Sequence, residues 1–272
     1  MIDRVHHVGL VVRDADAALG FYRDVMGLEV TADRVMTGQG VRGVLLGVGE
    51  NEIELLQPTV DDNGVARFLE SRGETLHHIC LNTDDVAAEL SRLKSAGVEL
   101  IDEEPRDGLA GQIGFVHPSA AHGVLIEFAQ PPADAQTSTE KGFDHLAVTV
   151  ADLEAGAQSW EQVAGLKVTN EIRPDGANMV IAQIPCGQCM IELLAPTSED
   201  SPMAARIAEQ GESAASMVAI EVDDIAAEIA RYREAGIDVP DAATGVLPNS
   251  VTTRIPAEVA FGLTIQLIQF SG

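Results

Sequence analysis

The chain has 272 residues, 46% hydrophobic and 22% charged, the composition of a globular protein with room for one large or two ordinary domains. Its 17 Lys and Arg against 43 Asp and Glu give a formal charge of −26, a surface that repels nucleic acid and anionic membranes and obliges any anionic substrate to find a local basic patch. No apolar run approaches the ~20 residues needed to span a bilayer, and the N-terminus carries an acid at Asp3 and no small-residue cleavage site, which predicts a cytoplasmic protein.

In chain order, one pattern occurs four times: an apolar strand, an acidic helix start, an amphipathic helix, then glycine. The copies are Val8–Val12, Asp14 to Met26 and Gly27; Ile79–Thr83, Asp84 to Ala96 and Gly97; Leu146–Val150, Asp152 to Ala164 and Gly165; and Val218–Val222, Asp223 to Ala235 and Gly236. The glycines are 70, 68 and 71 residues apart. Aspartate at the helix start accepts backbone N–H groups and suits the positive end of the dipole, and glycine past the end can take the left-handed conformation that stops the helix. Strand-like runs follow each glycine, among them Gly43–Gly47, Ile53–Leu56, Val124–Phe128 and Leu263–Leu267. The repeating module is a strand, a helix and about three more strands, βαβββ, which makes the fold class α+β.

Residues 131–142, within Gln130–Gly142 (QPPADAQTSTEKG), have no apolar period and read as a linker. They divide the chain into a first domain, 1–130, and a second, 143–272, of two modules each. The halves realign: Phe143-Asp-His145 on Val5-His-His7, Ile191–Thr197 on Ile53–Thr59, and Asp223–Glu228 on Asp84–Glu89. The three cysteines, Cys80, Cys186 and Cys189, do not form a disulfide framework. Cys186 and Cys189 have C-x-x-C spacing but stand alone before the strand-like Met190–Leu194, so they read as structural.

Strand side chains alternate between faces. Val8, Leu10 and Val12 form an apolar face, leaving His7 on the other. The same phase sets Glu54 opposite Ile53 and Leu55, His78 opposite Ile79 and Leu81, and Glu127 opposite Ile126 and Phe128. One histidine at a strand edge, or one glutamate on a half-buried sheet, is ordinary. Four repeat-related residues in phase predict a trough where two imidazoles and two carboxylates hold a divalent cation, with positions left for water or a bidentate substrate. Nitrogen and oxygen ligands suit Co²⁺, Zn²⁺, Mn²⁺, Ni²⁺ or Fe²⁺ without selecting one. His6 and His77 have the opposite phase and read as supporting or surface groups.

With these residues the chain resembles the vicinal-oxygen-chelate superfamily, which includes glyoxalase I, methylmalonyl-CoA epimerase and extradiol dioxygenases. The first half is most similar to methylmalonyl-CoA epimerase over roughly residues 4 to 130, through His7–Val12, Phe21–Asp24, Gly27–Val30, Gln39–Arg42, Phe68–Gly73, Leu76–Ile79, Ile101–Arg106, Phe115–Pro118 and Gly123–Glu127. The resemblance implies two domains of paired modules with curved mixed or antiparallel sheets. It implies metal ligands at His7, His78 and Glu127, with Glu54 in the fourth position. Some epimerases carry a glutamate base where this chain has Gly43. In the second half His145 and Glu192 align with His7 and Glu54, but Met217 and Gln266 replace His78 and Glu127, so that site is expected to be degenerate.

The activity implied is metal-dependent epimerisation or isomerisation by proton abstraction α to a carbonyl, with Glu54 and Glu127 as candidate bases. The partner implied is a small-molecule substrate, an acyl-CoA thioester among them, with Arg34, Arg42, Arg67, Arg72 and Arg106 available to an anionic tail. The two-domain chain is expected to act as a monomer mimicking a dimer, or as a homodimer. Alternatives are a glyoxalase-type lyase or polyol-ketone epimerase with the same site, an Fe²⁺ extradiol oxygenase, and a non-enzymatic binder. Two-domain oxygenases of that kind place two histidines and a glutamate in the second half; here that half lacks the second histidine and the glutamate.

Overall fold

The computed structural model describes residues 1–135 and 137–271, with side chains described for these except Gln210 and 213–216; Gln136 of the expected linker lies outside the described residues. The four βαβββ modules are all present. The first is β1 (Arg4–Val11), α1 (Ala15–Tyr22), β2 (Val30–Met36), β3 (Val41–Val48) and β4 (Asn51–Pro58), followed by α2 (Gly64–Arg72). The second is β5 (Thr75–Asn82), α3 (Val86–Ser95), β6 (Arg106–Gly108), β7 (Gly111–Val116) and β8 (Ile126–Gln130). The third is β9 (Phe143–Thr149), α4 (Leu153–Ala164), β10 (Asn170–Ile172), β11 (Met179–Cys186) and β12 (Cys189–Pro196), followed by α5 (Pro202–Gln210). The fourth is β13 (Ser213–Glu221), α6 (Ile225–Glu234), β14 (Ala243–Thr244), β15 (Ser250–Ile255) and β16 (Thr264–Phe270).

Capping accounts for the helix boundaries. Asp14 accepts from the N–H groups of Asp16 and Ala17, and Asp152 from Ala155 at 3.0 Å. In the two Asp-Asp pairs the second residue is the cap: Asp85 accepts from Ala88 at 2.9 Å and Asp224 from Ala227 at 3.0 Å. α3 and α6 therefore start after Asp85 and Asp224, later than the first acid suggests. Gly27, Gly97, Gly165 and Gly236 have φ of +82°, +74°, +70° and +82°, the left-handed stop expected after each helix. The repeat pattern omitted α2 and α5, capped by Asn63 and Ser201. α2 buries only Leu69, too little for a readable apolar stripe.

Each half forms a mixed eight-stranded sheet, in the order β2-β3-β4-β1-β5-β8-β7-β6 and β10-β11-β12-β9-β13-β16-β15-β14. β5–β8, β9–β12 and β13–β16 are parallel, and the β2–β3–β4 meander is antiparallel. Val8, Leu10 and Val12 are buried, as are Ala15, Ala18, Leu19 and Tyr22 of α1. α3 packs on β7 and β8 through Val86, Leu90 and Leu93; a Cβ on Gly114 would come within 2.7 Å of Leu90, so glycine permits that close approach. Among the described residues no helix is long and apolar enough to cross a membrane.

Backbone contacts gather the chain into two compact bodies that do not coincide with the two sequence halves: Met1–His7, His78–Thr137 and His145–Ala215 in one, Val8–His77, Ser138–Asp144 and Ser216–Gly272 in the other. In the first, Arg92 donates to the carbonyls of Gln162 and Val163, and His122 Nδ1 and Nε2 lie 2.8 Å from Glu212 and 3.1 Å from Ser159. In the second, Tyr22 donates to the Ala260 carbonyl at 2.8 Å. The end of the expected linker is anchored there: Glu50 N–H donates to the Glu140 carbonyl at 2.8 Å, and Phe143 N–H to Asn51 Oδ1 at 2.7 Å.

Glycine geometry gives a stability test. Gly111 has φ +105°, and a Cβ there would strike the Gln130 carbonyl, whereas Gly97, at φ +74°, faces open space. Gly97→Ala is expected to cost about 1–2 kcal/mol of left-handed strain and Gly111→Ala clearly more, read as unequal losses in urea midpoint.

Candidate metal centre

The four central strands of the first sheet, β4, β1, β5 and β8, carry Glu54, His7, His78 and Glu127. All four residues are buried, and one ligand atom from each lies within 4.8 Å of every other. His7 Nε2 is 3.0 Å from His78 Nε2 and 3.0 Å from Glu127 Oε2, and His78 Nε2 is 3.1 Å from the same oxygen. Those three atoms form a nearly equilateral triangle.

The triangle tests the residues against a cation. Ligands bonded at ~2.1 Å stand ~3.0 Å apart on an octahedral edge and ~3.4 Å apart on a tetrahedral one. The observed edges fit the octahedral face. Glu127 Oε2, buried, has neither imidazole in hydrogen-bonding geometry. A buried carboxylate oxygen in that position is costly unless something positive meets it. The residues therefore fit a divalent cation.

Electrostatics run the same way. Burial pushes the Glu127 carboxyl up, but His78 and His7 together outweigh it and hold it below the usual carboxylate range. Burial pushes the Cys80 thiol up, so it stays protonated. Cys80 was absent from the sequence-derived site. It lies two residues after His78, in the same strand phase, and forms a second close group with His6 and His7. Phe115, directly across the β7–β8 ladder from Glu127, meets His78 edge to face with ring centroids 5.5 Å apart. His6 is buried with Nδ1 2.9 Å from His7 Nδ1, while His77 packs on Phe68 at 4.7 Å between ring centroids.

The second sheet repeats the strand order without the donors. His145 and Glu192 are buried on β9 and β12, but His145 Nε2 stands 4.0 Å from Glu192 Oε2. Gln183 donates to Glu192 Oε1 at 2.8 Å. Met217 and Gln266 occupy β13 and β16, opposite Thr264 and Ala219. Among the described residues none of these four belongs to a group able to hold a metal. Cys186 and Cys189 are free thiols facing each other across the two-residue turn between β11 and β12, so the C-x-x-C spacing is a hairpin.

Gly43 lies on β3 opposite Arg34 and Leu56. Of the candidate arginines, Arg42 is tied to Asp33 and Asp16, and Arg67 to Asp62. Arg106 pairs with Asp102 at 3.1 Å and lies 5.2 Å over the Phe115 ring.

A sheet built of paired βαβββ modules, with two imidazoles and two carboxylates brought together on its central strands, defines a class of metal-binding scaffold. Residues 4–128 match a model of the Glyoxalase/Bleomycin resistance protein/Dioxygenase superfamily, and residues 144–249 match a second model with the same description. The chain is 36% identical over 133 residues to the ethylmalonyl-CoA/methylmalonyl-CoA epimerase of Cereibacter sphaeroides, covering 48% of this chain and 99% of that one. It is 32% identical over 131 residues to the human mitochondrial methylmalonyl-CoA epimerase, covering 47% and 74%. A mutant of 4-hydroxymandelate synthase from Streptomyces coelicolor shares the fold over 100% of this chain and 94% of its own, with TM-score 0.76 and 20% identity. The chain belongs to the Glyoxalase/Bleomycin resistance protein/Dioxygenase superfamily, as two domains of that family in tandem.

Burial first, then His7 and Arg4, hold His6 neutral down to about 3, against an ordinary 6.5. The unfolded chain takes up this proton near 6.5 and the folded chain does not, so this contribution to stability is complete above 6.5 and is lost as pH falls toward 3. Between those limits the loss is about 1.4 kcal/mol per pH unit. Thermal melting from pH 7 to 4 is expected to fall less steeply for His6→Phe than for the unaltered chain.

Proposed function

We propose that this chain is a metal-dependent isomerase that abstracts a proton α to a carbonyl, with His7, His78 and Glu127 holding the cation and Glu54, the second carboxylate, in the fourth position. The observation that carries the reading is the buried triangle of His7 Nε2, His78 Nε2 and Glu127 Oε2, with edges of 3.0, 3.0 and 3.1 Å. A divalent cation bound there supplies Lewis-acid stabilisation of negative charge on a carbonyl oxygen. Everything else falls to the side chains. Both imidazoles stand against Glu127, which makes it the anchoring carboxylate. Glu54 is the other carboxylate of the group, and we assign it the proton transfer, since Gly43 offers no side chain to do it.

The relatives named epimerases, 32–36% identical across the first half, support a branched acyl-CoA thioester as the substrate class. Arg106, which stacks on the Phe115 that touches His78, is the arginine best placed to meet an anionic tail. A second carboxylate also distinguishes this set from the open two-histidine, one-carboxylate face typical of iron oxygenases.

Two variants separate the roles. Glu54→Gln is expected to keep the metal while slowing solvent deuterium exchange at the α-carbon of methylmalonyl-CoA by about 10²–10⁴-fold. His78→Ala is expected to lose both metal and exchange, read by metal analysis of the purified chain and proton NMR in D₂O. Unimpaired exchange in Glu54→Gln would remove Glu54 from the chemistry. A metal-free unaltered chain, with exchange preserved in His78→Ala, would defeat the isomerase reading.

A further inference from the structure

His6 is outside the four-residue group, yet it is buried and its Nδ1 lies 2.9 Å from Nδ1 of His7. The rings meet at 85°, with centroids 5.1 Å apart. His7 turns its other nitrogen, Nε2, toward His78 and Glu127. Two facing imidazole nitrogens at this distance have room for one proton between them; with none, two lone pairs would oppose each other in a buried space.

The position of that proton decides what His7 can do. On His6 Nδ1, it makes His7 Nδ1 the acceptor, and a neutral His7 then carries its own proton on Nε2, blocked from a cation. On His7 Nδ1, it leaves Nε2 bare. A ligating imidazole ordinarily hands its second N–H to an acceptor, which fixes both its tautomer and its ring orientation. Neighbouring strand residues start from opposite faces, so the influence of His6 on the trough runs through the His7 ring.

We propose that His6 is a positioning residue for the metal centre: its Nδ1 accepts the Nδ1–H of His7 and keeps His7 in the tautomer that presents a bare Nε2. This rests on the assignment of the cation to His7, His78 and Glu127. It makes His6 part of what sets metal affinity, without being a ligand or touching substrate.

The test titrates the metal-free full chain with Co²⁺, comparing the unaltered protein, His6→Phe and His6→Asn. Asparagine Oδ1 stands at the same bond count from Cβ as histidine Nδ1 and can accept the same hydrogen. His6→Phe is expected to weaken Co²⁺ binding about 10–100-fold, and His6→Asn to restore most of it. Nitrogen-15 NMR of the Zn²⁺-loaded chain reads the hydrogen bond directly. A slowly exchanging His7 Nδ1–H coupled to His6 Nδ1 is expected in the unaltered chain, with slow exchange kept in His6→Asn and lost in His6→Phe.

Equal Co²⁺ affinity in His6→Phe, or a His7 Nδ1–H in the unaltered Zn²⁺-loaded chain that exchanges as fast as in His6→Phe, would overturn the positioning role and leave the metal centre standing. An unaltered chain that takes up no Co²⁺ at all would overturn both. Cys80→Ser discriminates against a separate His6–His7–Cys80 site. The cobalt spectrum is expected to be unchanged, and loss of a near-ultraviolet thiolate-to-cobalt band would make His6 a ligand and overturn the proposal.

Discussion

A carboxylate oxygen buried between two imidazole nitrogens is the interaction on which the first sheet is organised. Glu127 Oε2 has both Nε2 atoms within 3.1 Å and makes a hydrogen bond with neither. Removing such an oxygen from water costs several kcal/mol unless positive charge meets it. The geometry requires His7, His78 and Glu127 to stand on neighbouring strands in one phase. The sheet order β1-β5-β8 and the parallel β5–β8 register provide this. Around Glu127, Cys80, Ala110, Ile113, Phe115 and Ala129 form an apolar cluster that keeps water from competing.

The second sheet solves the same problem without a cation. It has the same strand order, with Gln266 in place of Glu127 and a buried glutamate, Glu192, in place of Glu54. There the glutamate is satisfied by an amide: Gln183 donates to it at 2.8 Å, and His145 stands off at 4.0 Å. Met217 and Gln266 remove the two remaining donors. An amide donor meets a buried glutamate oxygen there without calling for a cation. Duplication of one architecture has thus given one sheet whose polar residues call for a metal and one whose polar residues satisfy themselves.

The charge distribution narrows what the first sheet can meet. At −26 the surface repels anions at long range, and Arg42 and Arg67 are already paired with aspartates. Arg106 also has an acidic partner, Asp102, but its guanidinium lies over Phe115, whose ring touches a proposed ligand.

Much was legible in the chain itself. The four-fold repeat, the aspartate caps and the left-handed glycines are local: each depends on backbone groups a few residues away, so spacing alone reveals them. The phase of His7, Glu54, His78 and Glu127 is also local, because alternation along a strand follows from the pleat. Other features depend on residues distant in the chain. α2 buries too little to leave a stripe, and Cys186 and Cys189 needed a hairpin register to explain them. Sequence spacing gave no means to see that His6, of opposite phase, turns its ring onto the back of His7, or that Cys80 lies beside both. Nor could it divide the chain into bodies that differ from the two halves. Sequence alone determined which side chains share a face, through the two-residue period of a strand. Only the tertiary structure decided which of them meet, because strand order and side-chain packing set distances that chain separation does not encode.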